Sequence, residues 1–199
     1  RLASALLALA MAHLAAALFA GFVDAVAGGG GLIQVPTLLM ALPAESPATV
    51  FGTNKVASIF GTANAAWRYA RRIALPWRIA LPAAVAAFVF SFAGAAAVAW
   101  LPKAVVRPLV LGLLFLVLIY TVVKPEFGVV SGARLASGLE RKLALLVGAV
   151  LGFYDGFFGP GAGSFMIFAF VHWFRLDFLH ASSAAKVVNF STNAAALAY

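Results

Sequence analysis

Two lysines stand inside otherwise apolar stretches of this chain, Lys55 in FGTNKVASIFGT and Lys186 in AAKVVNFSTN. A charge in such surroundings is costly to bury and by default marks a functional site. Three readings compete: attraction of a bound anion, an internal ion pair with Asp24 and Asp155, or snorkelling to a nearby span end. The first two coexist if an anion competes with the carboxylate for the lysine. Asp24 and Asp155 each stand four residues before a glycine cluster. They are therefore candidates for proton coupling as well as for ion pairing.

The clusters are Gly28-Gly29-Gly30-Gly31 and Gly159-Pro160-Gly161-Ala162-Gly163. Glycine accepts left-handed backbone and proline lacks a donor, so both runs are expected to interrupt a helix. Short helices starting near Leu32 and Ser164 would then present free amides and a positive dipole end, which suits an anion. This makes Gly29, Gly30, Gly31, Gly161, Gly163 and Ser164 candidate substrate-binding positions. The competing reading is close helix packing, suggested by Gly148-x-x-x-Gly152 and Gly159-x-x-x-Gly163. Asn54, Ser58 and Thr62 share one helical face, and Asn189 and Asn193 form a similar stripe after Lys186. Such side chains can ligate an anion's oxygens or serve as hydrogen-bond glue between helices.

The two sets of residues are copies. Gly21-Phe22-x-Asp24-x-x-x-Gly28-x-Gly30 matches Gly152-Phe153-x-Asp155-x-x-x-Gly159-x-Gly161 at an offset of 131 residues, and Lys55-Val56 matches Lys186-Val187 at the same offset. Asn189 and Asn193 fall at the equivalents of Ser58 and Thr62. Repeat 1 covers about 1–123 and repeat 2 about 132–199 of a single transmembrane domain. The second copy lacks counterparts of the stretches 77–100 and 103–123. Extending the offset places the natural end near position 254, with two further helices after Tyr199.

The elements positioning these residues must be membrane helices. Of 199 residues, 64% are hydrophobic and only 10% charged, with a mean hydropathy of +1.04. A soluble domain carries about 25% charged residues. Expected spans are 2–27, 49–70, 77–100, 103–123, 142–158 and about 180 to the end, with shorter pieces at 31–42 and 161–174. The net charge of +8 lies in short clusters: Arg68, Arg71, Arg72 and Arg78 in one, Lys124, Arg134, Arg141 and Lys142 in another. Such clusters set orientation and lack the character of a nucleic-acid reader. Placing both in the cytoplasm, with Glu45 and Lys103 outside, makes the two copies run in opposite senses. The expected fold is all-α: a polytopic transmembrane helical bundle with inverted-topology repeats and glycine-broken hairpin helices.

His13, His172 and His180 show no ligand spacing, so no metal is assigned, and no cofactor motif is present. The chain has no cysteine, hence no disulfide framework. No Ser–His pair, Cys–His pair or P-loop supports an enzyme or ATP coupling. The expected partners are a small anionic substrate and the lipid bilayer, with a homo-oligomer left open and no nucleic acid.

GFVDAVAGGGGLIQVPTLL with FGTNKVASIFGT, and GFYDGFFGPGAGSF with AAKVVNFSTN, resemble the two halves of the sulfite exporter TauE/SafE family. The resemblance covers residues 18–199. It implies a multi-pass protein of the cell (inner) membrane that moves sulfite, sulfonates or related small organic acids, often outward. It carries the glycine breaks, Asn54, Lys55, Lys186 and Asn189 as binding positions. Residues and resemblance together lead to a secondary transporter of small anions. An anion channel built from the same electropositive groups is the alternative.

Overall fold

A computed structural model describes residues 2–100 and 136–199, together with positions 102, 104, 105, 108, 109, 111–113, 115, 116 and 119, and the backbone alone of residues 2–9, 26 and 27. About half of the expected span 103–123 therefore lies outside the described residues, as do Lys103, Arg107, Lys124 and Arg134.

The principal helices of the described chain are α1 (Leu2–Ala27), α2 (Gly31–Ala41), α3 (Pro47–Arg72), α4 (Trp77–Ala99), α5 (Ser137–Phe157), α6 (Ala162–Phe174) and α7 (Phe178–Ala198), and no strand occurs among the described residues. Local chemistry sets their limits. Ser46 caps α3 by accepting from the Thr49 amide at 3.1 Å, with Pro47 as the first helical residue. Asp177 caps α7, taking the amides of Leu179 and His180, each at 3.1 Å. The two glycine clusters do interrupt the helices. Gly28 (φ +73°), Gly159 (φ +91°) and Gly161 (φ +79°) hold left-handed backbone that a side chain would strain. The short helices begin at Gly31 and Ala162, slightly earlier than the expected Leu32 and Ser164, because Gly30 already has right-handed helical dihedrals and Gly161 serves as the cap of α6.

The close-packing reading of glycine also holds, at different positions. A Cβ on Gly148, Gly152 or Gly156 would lie 2.2 Å from Ala83 O, 2.4 Å from Ala87 Cα or 2.0 Å from Ser91 O. Bare backbone on α5 therefore seats the small-residue face of α4, so that the two helices meet at main-chain distance. Ser91 and Ser191 tie α4 to α7, donating to Thr192 O at 2.9 Å and Ala84 O at 2.8 Å. The apolar core lies among α4, α5, α6 and α7, around Ala83, Ala87, Val147, Met166, Phe170 and Val188.

Large apolar side chains point outward: Leu18 and Phe22 on α1, Leu81, Val85 and Val89 on α4, and Leu146 and Val150 on α5 are all exposed. This inside-out distribution is suited to lipid. Trp67, Trp77, Trp100 and Trp173 are exposed too, at helix ends where aromatic belts sit. Among the described residues, α4 alone combines a span's length with a sufficiently apolar run. At 26, 21 and 21 residues α3, α5 and α7 have the length, about 39, 31 and 31 Å. Their polar and charged residues lower the hydropathy, and several of these face the protein interior. The chain is an all-α helical membrane protein.

Candidate functional site

Lys55 and Lys186 do not snorkel. Lys55 Nζ donates to Asp155 Oδ1 at 2.5 Å, and Lys186 Nζ donates to Asp24 Oδ2 at 2.9 Å and to Asp24 O at 2.7 Å. Each lysine of one copy thus pairs with the aspartate of the other. The lysine side chains are each 5% exposed, whereas Asp155 is 3% and Asp24 29% exposed. Burial of each ammonium is tolerated because a carboxylate, and for Lys186 also the Asp24 carbonyl, replaces its water.

A third contact crosses between the copies: Asn193 Nδ2 donates to Thr62 Oγ1 at 3.3 Å, and these positions are themselves repeat equivalents. The glycine breaks also meet. A Cβ on Gly163 would lie 2.5 Å from Gly28 O, and one on Gly31 would lie 3.1 Å from Pro160 Cα. Two reciprocal ion pairs thus flank one contact between equivalent positions.

At the crossing lies a polar cavity of about 20 Å³ lined by Asp24, Gly31, Asn54, Lys55, Ser58, Asp155, Gly161, Gly163, Asn189 and Asn193, together with Gly28, Thr62 and Gly159. That volume holds about one water molecule. Most of the sequence-derived candidates therefore converge on one point. Lys186 and Gly30 instead line an adjoining groove of about 450 Å³, which shares Asp24, Gly31 and Ser58 with the cavity and continues past Gln34, Gly61 and Asn64 to Arg68. Gly29 and Ser164 line neither, although a Cβ on Gly29 would lie 3.6 Å from Ser164 Oγ. Among the described residues, Asn54 Oδ1 and Ser182 Oγ are the buried side-chain atoms without a hydrogen-bond partner. Asn54 is one of the residues bordering the cavity.

Thr192 was not among the sequence candidates. Its hydroxyl donates to Asp155 Oδ2 and sits beside Asn189 O at 2.9 Å. The available signal was its place beside Asn193, in a polar stripe whose first-copy counterpart at this position is Gly61. Tyr154, also not singled out, donates to Pro160 O at 2.6 Å and braces the second break.

The family model described as sulfite exporter TauE/SafE matches residues 13–199. The chain belongs to that family. The probable membrane transporter protein ORF9 of Sinorhizobium sp is 36% identical over 182 residues, covering 91% of this chain and 68% of that protein. The probable membrane transporter protein YfcA of Escherichia coli K12 is 36% identical over 177 residues, 89% of this chain and 64% of its own length. A probable membrane transporter protein of Haemophilus influenzae is 36% identical over 179 residues, 90% and 69% respectively. The chain thus spans about two thirds of the length of these relatives. No solved structure matches it. Membership makes this a membrane transporter protein with a small-molecule substrate, and the family is not a class of enzymes.

Proposed function

We propose that the chain forms the binding core of a secondary transporter, an exporter of small anions such as sulfite, sulfonates or related organic acids, in the cell (inner) membrane as a multi-pass protein. The observation that carries this reading is the meeting of two helix breaks, Lys55 and a set of amide and hydroxyl side chains around one cavity, with Lys186 on the groove adjoining it. In the resting arrangement each lysine is satisfied by a carboxylate belonging to the other copy. Asp24 Oδ1 also accepts from the Gly30 amide, at the N-terminal end of α2, at 3.4 Å. An internal carboxylate therefore stands where an anion would bind, and the substrate enters by displacing it.

The two copies run in opposite senses, with their crossing near the bilayer midplane. Reciprocal ion pairs and the Thr62–Asn193 contact support that arrangement. Alternating access follows from rocking one copy against the other, which opens the small cavity to either side in turn. A cavity with room for about one water favours such a cycle over an open channel.

The test is anion flux in proteoliposomes. Lys55→Ala and Lys186→Ala should each abolish flux of sulfite or a sulfonate while the protein is still inserted and folded. Undiminished flux in both variants would end the lysine assignment. Saturable, gradient-coupled flux fits the transporter, whereas single-channel currents would replace it with the channel.

A further inference from the structure

The charges at the crossing sum to zero: Lys55 and Lys186 against Asp24 and Asp155. A monoanion arriving there adds an uncompensated negative charge in a setting where unpaired charge is expensive. We infer that Asp24, and not its repeat partner Asp155, takes up one proton for each monoanion bound, so that anion and proton move together. This inference rests on the anion reading above and identifies its coupling group and coupled ion.

The two aspartates are equivalent in the sequence repeat but not in their surroundings. Asp155 is 3% exposed, with Lys55 on one carboxylate oxygen and the Thr192 hydroxyl on the other. Asp24 is 29% exposed and borders the 450 Å³ groove. The position equivalent to Thr192 is Gly61, which offers no hydroxyl and leaves open space beside it. Asp155 is pinned by side chains on both oxygens. Asp24 has Lys186 on one oxygen and only the Gly30 amide, at 3.4 Å, on the other. It borders the groove, so it can leave Lys186 and meet water.

The charged and titratable groups around Asp24 come from several helices. Lys186 on α7 holds it, Lys55 on α3 and Asp155 on α5 lie around the shared cavity, and Arg68 on α3 lies farther along the groove. From α2 the groove receives Gly31 and Gln34, neither of them charged or titratable. On α1 itself His13 is about three turns away, and α6 carries His172 near its C-terminal end.

The exchange balances. The anion takes the Lys186 ammonium as its hydrogen-bond donor, Asp24 gives that partner up, and an O–H bond forms on its carboxylate with a proton that a buffer acid releases and groove water relays, leaving the buffer's conjugate base in solution. Nothing is oxidised or reduced. A dianion such as sulfate would leave a negative charge even after that proton, so monoanions are preferred.

Calorimetric titration of the purified chain with methanesulfonate, a permanent monoanion near neutral pH, tests the inference when run in two buffers of different ionisation enthalpy. The chain should take up about one proton per anion bound. Asp24→Asn should bind with uptake near zero. Gly61→Thr, which supplies the missing hydroxyl at an open position, should reduce the uptake without touching the ion pairs. Binding with no proton uptake, or with unchanged uptake in Asp24→Asn, overturns the coupling and leaves the anion site standing. Competition by sulfate equal to that of methanesulfonate overturns the charge-balance argument. No methanesulfonate binding at all overturns both the site and the coupling.

Discussion

Thr62 and Asn193 occupy the same position in two copies of one sequence, 131 residues apart, and their side chains touch: Asn193 Nδ2 donates to Thr62 Oγ1 at 3.3 Å. Under the opposed arrangement of the copies proposed above, a position that contacts its own counterpart lies on the axis relating them. Lys55–Asp155 and Lys186–Asp24 are then the flanking pair of reciprocal contacts. The chain has no native cysteine, so this axis can be probed chemically. In membranes, a short thiol cross-linker should join Thr62→Cys to Asn193→Cys within one chain, and should join neither to a cysteine placed at Gly138, at the exposed start of α5. Absence of the first cross-link argues against the crossing described above.

The two ion pairs should differ in their contribution to stability. Lys55→Ala leaves Asp155 buried without its ammonium, a change expected to cost about 3–5 kcal/mol. Lys186→Ala leaves Asp24 partly in contact with the groove and should cost distinctly less. Replacing both members of the buried pair, as Lys55→Met with Asp155→Leu, should recover most of the first loss. Denaturant or thermal unfolding in detergent measures all three, and equal losses for the two lysine variants would contradict the unequal burial.

Close approach of α4 to α5 predicts a sharp contrast between equivalent small-residue positions. Gly152→Ala must place a methyl 2.4 Å from Ala87 Cα and should destabilise by about 1–3 kcal/mol. Gly21, its counterpart on α1, has nothing within 4 Å of a built Cβ. Gly21→Ala should therefore be neutral or slightly stabilising through helix propensity. The comparison is a pair of melting curves.

Asp177 lies in the connection before α7, outside the helix it caps. Slight burial pushes its carboxyl up, but hydrogen bonds from the His180 amide and ring and from the Leu179 amide outweigh this and hold it below its ordinary value of 3.8. A carboxyl held down in the folded state stabilises above its unfolded value, and that contribution disappears as pH falls through the lower folded value. Asp177→Ala should thus cost about 1 kcal/mol near neutrality through the lost cap, with the difference from wild type vanishing in strong acid. Melting temperature against pH for both proteins checks the sign.

Much of this molecule was legible from residue type and spacing. Composition required lipid as solvent, because so few charges cannot wet a surface of this size. The 131-residue repeat brought Asp24, Lys55, Asp155 and Lys186 into one argument, since identical local sequences build identical local units. The breaks at Gly28 and Gly159–Gly161 were readable because left-handed backbone selects glycine whatever packs nearby. Spacing alone could not say which aspartate pairs with which lysine, because pairing within a copy and pairing across copies use the same residues. Only the packing of α3 against α7, and of the breaks against each other, chose the crossed arrangement. The tertiary structure also divided the glycines: Gly148, Gly152 and Gly156 serve α4, while Gly28, Gly159 and Gly161 turn the chain. It separated the two aspartates as well. Their sequence surroundings are near-copies, but burial and hydrogen bonding depend on neighbours distant in the chain, and Thr192 reaches Asp155 where Gly61 leaves Asp24 open.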